Sequence, residues 1–199
     1  MTHVVQHEPV ALRAARSQRC DEILAGNLSS LRHAASLDLH NLQLGDTVMS
    51  VVLSRIAGVS GLSALHLGFN VLRADAMRAL AASPLSVRLV ELDLTGNPLG
   101  DAGIAALFGG AFPHLAVLGL SWCSLGDGAL GVIAEATTFP ALRELSLRRN
   151  AFTDEGARAL ASAMTLRQTL TSLNLDYNDT ITRRGMKALR EAYGGSLVE

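Results

Sequence analysis

Three observations predict an α/β solenoid: a short right-handed horseshoe with a parallel β-sheet on its concave face and helices on its convex face. First, a pattern Leu-x-x-Leu-x-Leu-x-x-Asn/Cys-x-Leu returns six times, with first positions at residues 34, 62, 89, 115, 142 and 170. Second, the Leu-x-Leu within each copy alternates with period two, which marks a strand buried on one face. Third, apolar residues recur at helical spacing after each turn. A near-constant step of this kind means stacked units that bury one continuous core, so function is expected on a surface and not in a pocket.

The elements follow in order. Residues 1–27 read as an N-terminal arm and a capping helix. The arm is about residues 1–7; Pro9 suits the first helical position, and the helix runs to about Leu24. Its face Val10, Ala14, Ile23 and Leu24 is expected to cover the open end of the first coil. Residues 28–193 hold six repeats, and 194–199 form a short tail. Copy one is Ala34-Leu37-Leu39-Leu42-Leu44; Leu42 has no hydrogen-bonding side chain, so an irregular first coil is expected. The cleanest copies are Leu62-Leu65-Leu67-Asn70-Leu72, Leu89-Leu92-Leu94-Asn97-Leu99 and Leu115-Leu118-Leu120-Cys123-Leu125. Then come Leu142-Leu145-Leu147-Asn150-Phe152 and Leu170-Leu173-Leu175-Asn178, whose last apolar residue slips to Ile181. Predicted strands include Leu65–Leu67, Leu92–Leu94, Leu118–Leu120, Leu145–Leu147 and Leu173–Leu175.

The ninth-position asparagines end the strands. Their amides can satisfy backbone groups that stacked coils would otherwise bury unpaired. Gly45-Asp46, Gly100-Asp101, Gly126-Asp127 and Thr153-Asp154 suit helix starts, by capping and by charge at the dipole. Helical spacing follows in Ile104, Leu107 and Phe108, in Leu130, Ile133 and Ala134, and in Leu160, Ala161 and Met164. Pro84, Pro113 and Pro140 end helices before the next strand. The last helix, about Arg183 to Tyr193, carries Arg183, Arg184, Lys187 and Arg190. Too few residues follow it for another coil, so Leu173–Leu175 is expected to be an edge strand. That edge is either blunted by its own polar residues or a docking site for a neighbouring protein.

The pattern resembles that of leucine-rich repeats. The step length and the helical second half of each unit are similar to the ribonuclease-inhibitor-type subclass, whose members include the Ran GTPase-activating protein, the tropomodulin C-terminal domain and the sensing end of NOD-like receptors. The resemblance covers roughly residues 28 to 193. It implies protein–protein recognition, and no catalytic motif travels with it.

Composition agrees. The chain is 49% apolar and 4% aromatic with a formal net charge of −1, so nothing marks a nucleic-acid footprint. No Gly-x-Ser-x-Gly elbow or P-loop is present. His3 and His7 could share a helix face, but no Cys or acidic cluster joins them, so neither a metal nor any other cofactor is expected. The helix-start aspartates lie one repeat apart and do not form a metal site. With two cysteines, Cys20 and Cys123, and no cysteine-rich cap, free thiols and a reducing, cytoplasmic setting are expected. No secretory h-region or membrane span is expected, and no small-molecule substrate.

The informative residues face out from the strands. In register they include His66, Phe69, Glu91, Asp93, Trp122, Arg148, Arg149 and Tyr177, and these are the candidate partner-binding residues. Phe69, Trp122, Arg149 and Tyr177 each stand just before the Asn/Cys slot. They are residue types that dominate binding hot spots; packing on the edge of the sheet is the competing reading. The surface also divides by charge, acidic at Asp38, Glu91 and Asp93 and basic at Arg148 and Arg149, which would orient a partner. The expected function is a non-enzymatic interaction module, a scaffold or adaptor subunit of an intracellular assembly, with a cytoskeletal or ciliary complex as one setting. The alternative is a regulator acting on a GTPase or as an enzyme inhibitor. Partners are expected on the concave face and at the C-terminal edge.

Overall fold

A computed structural model describes residues 10–198; the predicted arm, Pro9, His3 and His7 lie outside them. Helix α1 (Val10–Leu24) precedes a regular alternation of β1 (Ser36–Asp38), α2 (Gly45–Ile56), β2 (Ala64–His66), α3 (Ala74–Ala82), β3 (Glu91–Asp93) and α4 (Gly100–Phe108). It continues with β4 (Val117–Gly119), α5 (Asp127–Glu135), β5 (Glu144–Ser146), α6 (Asp154–Ala161), α7 (Met164–Thr169), β6 (Ser172–Asn174), α8 (Arg183–Tyr193) and β7 (Leu197–Val198). All seven strands pair in parallel in sequence order. The predicted α/β solenoid is therefore present, each strand lying one residue earlier than the leucine pattern indicated.

Register follows the leucines. Leu37, Leu65, Leu92, Leu118, Leu145 and Leu173 stand opposite one another across successive strands, and all are buried. Their outward neighbours Asp93 and Ser146 are half-exposed. Each fully buried leucine contributes about 1.5–3 kcal/mol relative to an exposed one, and a one-residue slip would turn the whole row into water.

The asparagines stitch coil to coil. Asn97 donates through Nδ2 to the carbonyls of Leu67 (2.9 Å) and Leu94 (2.8 Å). Its Oδ1 accepts from the amides of Asn70 (2.9 Å) and Leu72 (3.0 Å). Asn70, Asn150 and Asn178 repeat the arrangement at their own junctions. Cys123 replaces the amide with a thiol that donates to Leu94 O and Ser121 O, both at 3.3 Å. Leu42 does not make the first coil irregular at its turn: its amide still donates to Asn70 Oδ1, because the partner amide comes from the following coil.

The helix-start aspartates form a second ladder. Asp46 Oδ1 accepts from Arg73 N, Asp101 Oδ1 from Gly126 N, Asp127 Oδ1 from Thr153 N and Asp154 Oδ1 from Thr182 N, at 2.7–2.8 Å. Each carboxylate thus holds the turn that opens the next coil's helix. Asp75 breaks the series and pairs with Arg78 on its own helix.

Four expectations are corrected. On α1 the buried residues are Arg16, Cys20 and Ile23, whereas Val10 and Ala14 are exposed. Arg16 is buried because its guanidinium reaches Asp38 at 3.3 Å. Met164 does not continue the α6 stripe; α6 ends at Ala161, and Met164 opens the short α7 with 65% of its surface exposed. The strand Leu173–Leu175 is not an edge with unpaired backbone, since β7 lies against β6 with Leu173 opposite Leu197 and Asn174 opposite Val198. A glycine turn makes this return available: Gly194 adopts φ +53° straight after α8, a conformation that costs glycine little. The fourth is the first coil's regularity, given above.

Candidate functional site

The residue before the Asn/Cys slot turns left-handed in all six coils: Asn41 (φ 59°), Phe69 (56°), Gly96 (73°), Trp122 (57°), Arg149 (53°) and Tyr177 (59°). This conformation ends the strand, sends the next side chain into the stack and lifts its own onto the rim. An L-residue there carries a cost of about 1–2 kcal/mol, which Asn and Gly bear best. Four coils nevertheless carry Phe, Trp, Arg or Tyr. Bulky residues held in such a region concentrate at functional sites.

These rim residues form one continuous row. The His40 and Phe69 rings lie 5.1 Å apart, and Phe69 meets Trp122 edge-on at 6.0 Å. The Arg149 guanidinium lies 5.6 Å from the Trp122 ring and 4.9 Å from the Tyr177 ring, with Arg148 5.1 Å from Tyr177. Such cation–π contacts contribute about 0.5–1 kcal/mol at exposed sites. The row keeps much of its surface in water, with Trp122 54% and Tyr177 59% exposed. A groove of about 290 Å³ opens between the first two rings, lined by Phe69, Gly96, Pro98, Trp122 and Ser124.

The remaining candidates lie on the strand face. His66 and Glu91 approach to 3.8 Å. Asp93 uses Oδ1 to accept from Thr95 N at 2.9 Å, as Asp38 does from His40 N, so both aspartates also shape the strand ends. The charge division is tempered by partners within the chain: Asp38 meets Arg16, and Arg148 meets Asp176 at 3.5 Å. Burial holds the His40 pKa below its usual value, with Arg16 adding to the effect. Register places His40 and Gly96 on this surface, whereas Pro98 and Ser124 escaped the sequence reading. Aligning the six copies does mark Gly96, since it alone leaves the rim position without a side chain.

Among the described residues, no three His, Cys, Asp or Glu side chains are grouped to hold a metal ion, and no helix is long and apolar enough to cross a membrane. Cys20 and Cys123 are free thiols, both buried.

The family model described as Leucine Rich repeat matches residues 89–108, 140–161 and 168–189. Human leucine-rich repeat-containing protein 73 (Homo sapiens) is 32% identical over 151 residues, covering 71% of this chain and 48% of that protein. The ribonuclease inhibitor of Sus scrofa is 32% identical over 151 residues, covering 72% of this chain and 33% of the inhibitor. The chain is a leucine-rich repeat protein of the ribonuclease-inhibitor type. Among solved structures, a chain of the yeast Rad7–Elc1 complex superposes on this leucine-rich repeat fold with a TM-score of 0.51 at 17% identity, covering 74% of this chain and 43% of that one. The chain spans about half the length, or less, of the curated relatives it matches.

Proposed function

We propose that this leucine-rich repeat chain is a non-enzymatic protein-binding module acting inside the cell, as an adaptor or scaffold subunit, and that the rim row is its contact surface. The observation that carries this is the run of exposed Phe69, Trp122 and Tyr177 with half-buried Arg149, held in costly backbone conformations and joined by ring and cation contacts. Tyr, Trp and Arg in a desolvatable cluster are what protein interfaces use as anchors. A cytoskeletal or ciliary assembly is one setting for such a subunit. Affinity capture from native lysate with the parent, Trp122→Ala and the helix-face control Arg158→Ala tests the reading. Proteins retained by parent and control and lost with Trp122→Ala support it; an identical set at equal yield with Trp122→Ala, at unchanged circular dichroism, overturns it. A GTPase as sole partner would favour a regulatory role, and several stoichiometric partners a scaffold.

A second reading is an enzyme inhibitor. It is supported by the similarity to ribonuclease inhibitors, which reaches 39% over 80 residues for the Mus musculus protein. Titrating the chain into a ribonuclease assay tests it directly, with undiminished turnover as the refuting result.

A further inference from the structure

We infer that the groove between Phe69 and Trp122 takes one aliphatic side chain from an extended peptide segment of a partner protein, and that an acidic residue two or three positions along the segment meets Arg149. The inference rests on the rim being the contact surface proposed above and names what that surface recognises.

The groove exists because coil three has glycine at the rim. Neighbouring strands lie about 4.8 Å apart, so two coils separate the backbones of Phe69 and Trp122 by roughly twice that distance. Gly96 leaves the space between them empty, and the Phe69 ring leans into it. A Cβ on Gly96 would stand 2.6 Å from Phe69 Cδ1. The lean brings the rings to 6.0 Å at an interplanar angle of 85°. They form a corner, one wall a ring face and the other a ring edge, floored by Gly96 and Pro98.

Size and shape select the occupant. A volume of about 290 Å³ lies at the lower limit of small-molecule pockets, roughly 300–1,000 Å³, and suits a single side chain. A branched aliphatic group can touch two perpendicular walls at once, whereas a flat ring can stack on only one of them. Charge sets the rest of the segment. On the coil-five side of Trp122, Arg149 is fixed between the Trp122 and Tyr177 rings. These contacts hold its positive charge at the rim. Arg149 stands two coils from Gly96, about 9.6 Å, and one extended residue spans about 3.3 Å, so a carboxylate two or three residues past the apolar anchor arrives there. On the other side, Glu91 and Asp93 lie on the same coil as Gly96. They disfavour a phosphodiester backbone, which binds through cationic contacts, and a polypeptide is the occupant that fits both ends.

Trp122 is the single tryptophan of the chain, so its emission reports this groove alone. The probe is a random heptapeptide phage library panned on the full chain, with selected peptides synthesised and titrated. The expected consensus is an aliphatic residue with Asp or Glu two or three positions away. Binding should shift Trp122 emission to the blue and protect it from acrylamide. Amidating the acidic residue should weaken binding to the parent about tenfold, the scale of one charge-assisted hydrogen bond, and leave binding to Arg149→Ala unchanged. Peptides that shift Trp122 emission but lack this consensus, or an absence of selected peptides, would overturn the inference and leave the rim reading standing. Peptides that bind without changing Trp122 emission would count against both.

Discussion

Phe69 lies across Gly96, its ring occupying the space that any side chain at position 96 would need. Gly96 also sits at φ +73°. Gly96→Ala therefore meets two costs: the left-handed backbone and displacement of the Phe69 ring. Together they should lower stability by about 2–3 kcal/mol. Urea unfolding followed by circular dichroism reads the loss. The Trp122 emission of the folded variant should change as well, because the displaced ring no longer meets Trp122 edge-on. A neutral substitution would show that the Phe69 ring moves freely.

The Asn97 side chain makes four hydrogen bonds, three across the junction of coils two and three and one to Leu94 O of its own coil, and it is fully buried. Asn97→Ala leaves two amides and two carbonyls without that partner. At about 1 kcal/mol per net bond, plus the penalty for groups left dry, the loss should be about 3–5 kcal/mol. The half-buried Asn150 offers an internal comparison, and Asn150→Ala should cost less. Equal denaturant midpoints for Asn97→Ala and the parent would mean that water replaces the amide.

The strands, their register and the asparagine ladder were legible because a period-two leucine recurs in every copy and an Asn or Cys stands at the ninth position in five of the six. Physical contacts between coils were less so. Arg16 looks like a surface residue on α1 until Asp38, 22 residues away, is brought beside it. The two-residue β7 is too short to show periodicity, and it exists because a glycine turn returns the chain to β6. The rim candidates were found by register alone. Their left-handed backbone was not, since nothing in Phe, Trp, Arg or Tyr announces a positive φ; the turn imposes it. The groove was missed for the same reason, being made by an absent side chain at Gly96.

Burial pushes the Cys123 thiol up to about 12, and it raises Cys20 and Tyr193 as well. In the unfolded chain a thiol ionises near its ordinary value of 9.0. Between those values only the unfolded chain releases the proton, so stability held below pH 9 is lost as pH rises towards 12. The urea midpoint should fall between pH 8 and pH 10.5, and Cys123→Ala should show a shallower fall. In native protein at pH 8 both thiols should resist a disulfide reagent, with two reacting after denaturation. A reactive native Cys123 would contradict its burial.

Asp154 titrates in the opposite direction. Hydrogen bonds from the Thr182 hydroxyl, then from the Thr182 and Gly185 amides, hold its carboxyl below the usual value. Its contribution is therefore present above the ordinary carboxylate pKa and lost as pH falls through the lowered one. Asp154→Ala should speed amide exchange in α8 and leave α2 unchanged. Equal exchange in α8 would show that the Thr182 cap is sufficient alone.

The two readings of the rim, anchor for a partner or packing for the sheet edge, separate at Tyr177. Its left-handed φ of 59° costs about 1–2 kcal/mol. Glycine relieves that strain and loses about 0.5–1 kcal/mol through the entropy of the unfolded chain. The 59% exposed ring leaves little buried surface to forfeit apart from its contacts with Arg148 and Arg149. If the ring serves a partner, Tyr177→Gly should be neutral or stabilising by up to about 1 kcal/mol in urea while weakening the complex, and Trp122→Gly should behave alike. If the ring serves the fold, both variants should lose more than about 2 kcal/mol, since relief of strain would then be outweighed by lost packing. Running both at once excludes a local accident at either coil. Stability retained with binding lost is the pattern of a site that accepts strain for contact, as bulky residues at left-handed positions do elsewhere.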